Sequence, residues 1–178
     1  HSLSRRQRQM CIRDRAPTSP VKSWSGIKST DTNSKICYQP KQTTEFYNRG
    51  PKIEDMSEDC LTLNVWTRAK NSDEKLPVMV WFHGGALVWG SGNDYSGEEL
   101  TKYGVILVTV NYRLGPFGFF SHPDLTLKYG TSGNQGFRDQ IESLKWVKKN
   151  IKSFGGDPDN VTIFGESAGS WSVNVLQD

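Results

Sequence analysis

Val161-Thr162-Ile163-Phe164-Gly165-Glu166-Ser167-Ala168-Gly169 is the stretch from which the rest of the chain can be read. Its first four residues, β-branched or aromatic, suit a short strand, and Ala168 to Leu176 can open a helix. The pentapeptide between them, Gly165 to Gly169, has the form G-x-S-x-G. A strand that passes into a helix over so few residues must bend sharply. Small residues on either side of the serine permit the bend, which turns the hydroxyl of Ser167 away from the sheet. A helix N-terminus behind that serine directs backbone N–H groups, starting with that of Ala168, and a positive dipole at a developing oxyanion. Five residues of this kind recur by chance as a glycine-serine turn without chemistry, so the strand before and the helix after give the motif its weight.

Working outward, the next clear element is a helix predicted over Gln135 to Lys152. There Phe137, Ile141, Leu144, Val147 and Ile151 recur at steps of three or four and make one apolar stripe, with charged residues opposite. Phe154-Gly155-Gly156-Asp157-Pro158 ends it, because glycine allows the chain to reverse and proline prevents continuation. Further upstream, Pro77 to Phe82 and Val105 to Val110 are short continuous apolar runs, the pattern of strands buried on both faces of a parallel sheet. A helical stretch near Glu98 to Tyr103 lies between them. Leu61 to Arg68 alternates as a period-two strand, and Asn71 to Leu76 reads as a polar turn. Strand, crossover and strand alternate, so the expected class is α/β with a mostly parallel central sheet and crossover helices.

The 178 residues, 35% hydrophobic and 23% charged, are ordinary for one globular domain. No apolar run approaches the roughly 18 residues of a membrane span. The formal charge of +3 is concentrated in His1 to Arg15, with five arginines against one aspartate, and the remainder carries 17 basic and 18 acidic groups. A body so close to neutral has no nucleic-acid footprint, and Lys145, Lys148, Lys149 and Lys152 read as the solvated face of the predicted helix. The opening segment, HSLSRRQRQMCIRDR, lacks the apolar centre of a secretory signal and has no helical or strand period. It resembles translated sequencing-adapter peptide, with a disordered basic arm as the alternative. Residues 1–15 are therefore set apart as non-native or disordered, and residues 16–178 are taken as the domain portion. Cys37 and Cys60 remain outside that segment, and their spacing leaves open a bridge or two unrelated thiols. No metal-ligand or cofactor pattern is present, and none is expected.

Acyl transfer at a serine needs further oxyanion donors, for which a glycine-rich loop after an earlier strand is the natural source. His83-Gly84-Gly85-Ala86 follows the run Pro77 to Phe82 directly. Gly85 and Ala86 are the expected donors, with Gly84 and His83 shaping the loop. The serine also needs a histidine to take its proton and an acid to orient that histidine, and after a G-x-S-x-G elbow these follow in the order serine, acid, histidine. Only Asp178, and no histidine, follows Ser167. Of the three histidines, His1 is in the opening segment, His83 reads as a loop brace, and His122 lies in Ser121-His122-Pro123. Glu166, beside the serine, reads as a structural hydrogen-bonding residue.

Taken in order and spacing, Ser57 to Val65, Asn111 to Gly115, Gly133 to Gly136, Phe154 to Pro158 and Gly165 to Gly169 resemble the type-B carboxylesterase family, which includes carboxylesterases, cholinesterases and some fungal lipases. The resemblance runs from about Ala16 to the C-terminus. It implies the N-terminal, incomplete part of an α/β-hydrolase fold, in a serine ester hydrolase working through an acyl-serine on a small-molecule ester. Ser167 would be the nucleophile and Gly85, Ala86 and Ala168 the oxyanion hole. The resemblance also implies a Cys37–Cys60 disulfide, hence a secreted or periplasmic protein, and an Arg113–Asp139 ion pair. Position 86 departs from the pattern, since the family often has a third glycine there. Because the family is about three times this length, the acid and the histidine are expected on sequence not present here, and these residues alone are expected to be inactive. The competing readings are a non-catalytic adhesion or interaction member of the same fold, and a lipase, which would call for an apolar lid.

Overall fold

The computed structural model describes residues 3–8, 15–19, 25–26, 29–40 and 55–177. Five strands, β1 (Leu3–Arg8), β2 (Thr62–Thr67), β3 (Leu76–Phe82), β4 (Ile106–Val110) and β5 (Gly156–Gly165), form one sheet in the order β1-β2-β4-β3-β5. β3 runs parallel to both of its neighbours, β4 and β5, whereas β2 joins β4 antiparallel and β1 joins β2 antiparallel. The parallel sheet implied by the two buried runs is thus the β4-β3-β5 trio. Alternate residues Val78, Val80 and Phe82, Ile106, Val108 and Val110, and Leu63 and Val65 form the core with Trp146, Val147 and Ile151. Removing each such side chain from water contributes about 1.5–3 kcal/mol. β4 is buried along its whole length, as its almost wholly apolar run, broken only by Thr109, requires.

Two strand boundaries differ from the sequence reading. β3 begins at Leu76, and β5 begins at Gly156 rather than Val161. Leu76 faces Gly156, but Val78 faces Val161, so Asp157 to Asn160 bulge opposite Pro77. Pro77 has no N–H to give a ladder, which makes this the place where the pairing slips. The strand β1 falls in the basic arm, where no strand period is visible, and runs from Leu3 opposite Thr67 to Arg8 opposite Thr62. Such pairing uses backbone groups alone, and the open edge of β2 offers them to an extended segment whatever its side chains. It is independent of the arm's origin.

The helices are α1 (Gly115–Phe119), α2 (Pro123–Tyr129), α3 (Gln135–Asn150) and α4 (Ala168–Val175). The stretch near Glu98 is a single 3-10 turn at Leu100–Tyr103. α3 tightens into another at Ile151–Phe154, where Gly155, at φ 83°, turns its N–H back onto the carbonyls of Ile151 and Lys152. The buried face of α3 matches the expected stripe only in part: Val147 and Ile151 are buried and Leu144 packs on the core. Ile141 is exposed, while Gly136, Asp139, Gln140, Ser143, Trp146 and Val147 face inward. Polar groups on that face are paired in part: Gln140 Nε2 donates to Ser172 Oγ of α4 at 3.0 Å and Ser143 Oγ to the Gln140 backbone carbonyl at 2.6 Å, whereas Gln140 Oε1 has no hydrogen-bond partner among the described residues.

Arg113, just past β4, meets Asp139 in a buried two-pronged pair, with Nε and Nη2 each donating to a carboxylate oxygen at 2.7 Å. The Arg113 backbone N–H and Thr18 Oγ1 also donate to that carboxylate, at 3.1 and 2.5 Å. Cys37 and Cys60 are disulfide-bonded, with Cα atoms 4.9 Å apart, and pack with Leu61, Tyr112 and Leu114. Among the described residues no helix is long and apolar enough to cross a membrane.

Candidate active site

Both loops that the sequence singles out leave the same end of the sheet. Phe82, the last residue of β3, is paired with Gly165, the last of β5, so His83 and Glu166 emerge side by side. On the β5 side the chain turns at Ser167, which has φ 52° and ψ −118°. This left-handed conformation is costly for a residue with a Cβ and persists only where its surroundings enforce it. Here they do so through the two glycines of the motif. A Cβ on Gly165 would lie 2.5 Å from the Gly169 carbonyl carbon, and one on Gly169 would lie 2.0 Å from the Phe82 carbonyl oxygen. The absence of both lets α4 begin directly against the ends of β3 and β5. The Ser167 carbonyl is fixed by the N–H groups of Ser170 and Trp171 at 2.9 and 3.2 Å and by Ser170 Oγ at 2.6 Å. The Ser167 residue itself is exposed.

The β3 side carries His83 to Ala86. A Cβ on Gly84 would meet Glu166 Oε2 at 2.3 Å and Ser167 Cβ at 3.3 Å, so the glycine loop lies directly against the elbow and the Glu166 carboxylate rests on it. The loop then curls through positive φ at Gly85 (103°), Ala86 (55°) and Leu87 (62°), and the Gly85 carbonyl accepts from Val88 N and Trp89 N. Ala86 therefore occupies a conformation that glycine adopts without penalty. In the turns of the described residues, no backbone acceptor takes the N–H of Gly85, Ala86 or Ala168.

The two described histidines have other tasks. His83 is buried, stacks on Tyr112 with ring centroids 4.4 Å apart, and donates from Nδ1 to the Gly84 carbonyl at 2.8 Å. Burial pushes its pKa down to about 4, and the bond to Gly84 only partly opposes this, so the ring is neutral at pH 7. His122 is exposed and caps α2, its Nδ1 accepting from Asp124 N at 3.2 Å. His1 and Asp178 lie outside the described residues.

Three residues to which the sequence reading gave no role hold the glycine loop in place. Tyr112 Oη donates to the His83 carbonyl at 2.6 Å. Asn111 Oδ1 accepts from Gly92 N at 2.8 Å and from Ser91 Oγ at 3.0 Å. Gln39 is bonded to Gly90 at both backbone groups. For Asn111 and Tyr112 a signal existed: they follow a buried strand and leave the sheet at the same end as His83. Gln39 has no signal beyond standing two residues from Cys37.

Comparison with protein families matches residues 13–177 to the Carboxylesterase family. Over 168 residues the chain is 46% identical to the cocaine esterase of Homo sapiens, a match covering 90% of this chain and 29% of that protein. A carboxylesterase from Geobacillus stearothermophilus superimposes with a TM-score of 0.81 at 40% identity, over 96% of this chain and 34% of that one. The juvenile hormone esterase of Manduca sexta, whose structure has OTFP covalently attached, gives a TM-score of 0.80 at 31% identity, over 96% of this chain and 31% of that one. The chain thus spans about a third or less of the length of these relatives.

Proposed function

We propose, from the premise that this chain belongs to the carboxylesterase family, that the protein containing it hydrolyses carboxylic esters of small molecules through an acyl-serine intermediate. Ser167 Oγ attacks the ester carbonyl, the alcohol departs, and water then releases the acid and restores the serine. The N–H groups of Gly85, Ala86 and Ala168 receive the carbonyl oxygen as it becomes negative, aided by the dipole of α4. The histidine that moves the protons, and the acid that orients it, come from sequence outside these 178 residues, since His83 and His122 are committed elsewhere. No metal or cofactor enters this scheme.

One observation carries the reading: Ser167 is held in a left-handed conformation, at the head of a helix, with Gly84 packed against it. A glycine-serine turn without chemistry has no need of that strain. The covalent attachment in the juvenile hormone esterase relative agrees with a nucleophilic mechanism. The Cys37–Cys60 bond suits an oxidising compartment, which favours a secreted or periplasmic protein.

The test is organophosphate labelling of the full-length protein followed by peptide mass spectrometry. The adduct is expected on Ser167, and Ser167→Ala should abolish both label and turnover while leaving the unfolding midpoint in place. An adduct on another residue, or turnover surviving in Ser167→Ala, overturns the assignment.

A further inference from the structure

The glycine loop runs through positive φ at three successive residues, two of which, Ala86 and Leu87, carry a Cβ, and has to be held from outside. Tyr112 fixes its beginning, at the His83 carbonyl, and Asn111 fixes the chain just beyond it, at Gly92. Its far end, Gly90, is gripped by a side chain distant in sequence. Gln39 Oε1 accepts from Gly90 N at 2.9 Å, and Gln39 Nε2 donates to the Gly90 carbonyl at 3.1 Å. One amide thus closes both backbone groups of one glycine. The same Nε2 donates to the Cys37 carbonyl at 3.1 Å, which ties the amide to the disulfide two residues away.

Gly90 in turn presses on the loop's beginning. At φ 113° it lies so close that an added Cβ would meet His83 Nδ1 at 2.5 Å and the Gly84 carbonyl at 2.8 Å. Gly84 is the residue packed against Ser167. A contiguous path of contacts therefore runs from the Cys37–Cys60 bond through Gln39 and Gly90 to Gly84 and the serine.

Resting on the ester-hydrolase reading, we infer that Gln39 is a positioning residue for the oxyanion loop, and that the disulfide sets the position of its amide. It touches no reacting atom. Its effect is to keep the Gly85 and Ala86 N–H groups where the oxyanion develops. Such an interaction acts on the transition state and leaves ground-state binding of the ester nearly unchanged.

The experiment uses the full-length protein, with rates normalised to the serine that can be titrated by an organophosphate. Gln39→Met keeps length and shape but has no amide. It should lower kcat on the order of 10-fold, less than the roughly 100-fold of a 1 Å misplacement, with KM within about twofold. Affinity for a trifluoromethyl ketone, which mimics the tetrahedral state, should weaken in the same proportion. Gln39→Asn, which retains the amide but withdraws it by one methylene, should show the same split and serves if the methionine variant does not fold. Cys37→Ser/Cys60→Ser should shift kcat in the same direction. An unchanged kcat per titrated serine in Gln39→Met or Gln39→Asn overturns the inference while the wild-type turnover upholds the esterase reading. A wild-type protein that neither takes the label nor hydrolyses an ester overturns both.

Discussion

Gly169→Ala isolates the steric condition on the elbow. Gly169 lies inside α4 without a positive φ, so on helix propensity alone alanine would stabilise the site by about 1 kcal/mol. The surroundings oppose this. The new Cβ would stand 2.0 Å from the Phe82 carbonyl oxygen, 2.9 Å from its carbon and 3.1 Å from the His83 carbonyl oxygen. All three are backbone atoms, so no flexible side chain can move aside. Reaching ordinary contact requires α4 and the end of β3 to separate by more than about 1 Å, and overpacking of this kind typically costs about 1–3 kcal/mol. That offsets the propensity gain, and the net change is a loss. The separation is also along the line between Ser167 and the loop beginning at His83, where a shift of about 1 Å costs on the order of 100-fold in rate. Urea unfolding and ester turnover of the full-length variant measure the two effects. A variant as stable as the parent with undiminished kcat/KM would refute the reasoning, because the close approach of Gly169 to Phe82 could not then be a condition of the site.

Two further outcomes follow from buried charge. Arg113→Met leaves the Asp139 carboxylate buried without its two-pronged partner and should cost about 3–5 kcal/mol in urea unfolding, whereas Arg113→Met/Asp139→Leu should lose less than the single change; a single-variant loss below about 1 kcal/mol, the range of exposed pairs, would show that the carboxylate is not held from water. His83 takes up its proton near 6.5 when unfolded but only near 4 when folded, so between those values the unfolded state binds more protons. Stability should therefore rise with pH across that window, by about 3 kcal/mol from this residue, and be lost as pH falls through it. His83→Phe should flatten the dependence, and an unaltered slope between pH 4 and 6.5 would contradict the burial of a neutral ring.

The elbow is legible in the sequence because its causes are local: a β-branched run, two glycines around a serine, and a helix-capable stretch, all within the reach of one turn. β4 is legible for a similar reason, since burial along its whole length leaves an almost wholly apolar run; β3 carries a run of the same kind but is fully buried only at Val78, Val80 and Phe82. α3 is legible as an element but not in its facing. Periodicity weighs Phe137 and Ile141 as core, yet the face turned inward carries Asp139, Gln140 and Ser143. Asp139 and Gln140 face Arg113 and Ser172 there, a fact of tertiary placement that no local pattern contains, while Ser143 bonds within its own helix. The early start of β5 was hidden because Gly156 to Asn160 has the composition of a break, and its pairing is set by a proline on the neighbouring strand. Gln39 could not be read at all, as its meaning lies in a glycine brought to it by the fold.

The adjacency of β3 and β5 also bears on when the site comes into being. Everything from Gly84 to Glu166 intervenes between the two loops, and joining parallel strands across so long a segment requires a loop closure that is repaid only once the crossover is packed. No early hairpin or isolated helix could bring Gly84 against Ser167. The β3–β5 pairing is then a precondition for reactivity at the serine: during refolding of the full-length protein, reactivity should appear no earlier than that pairing, after helical signal has already been gained.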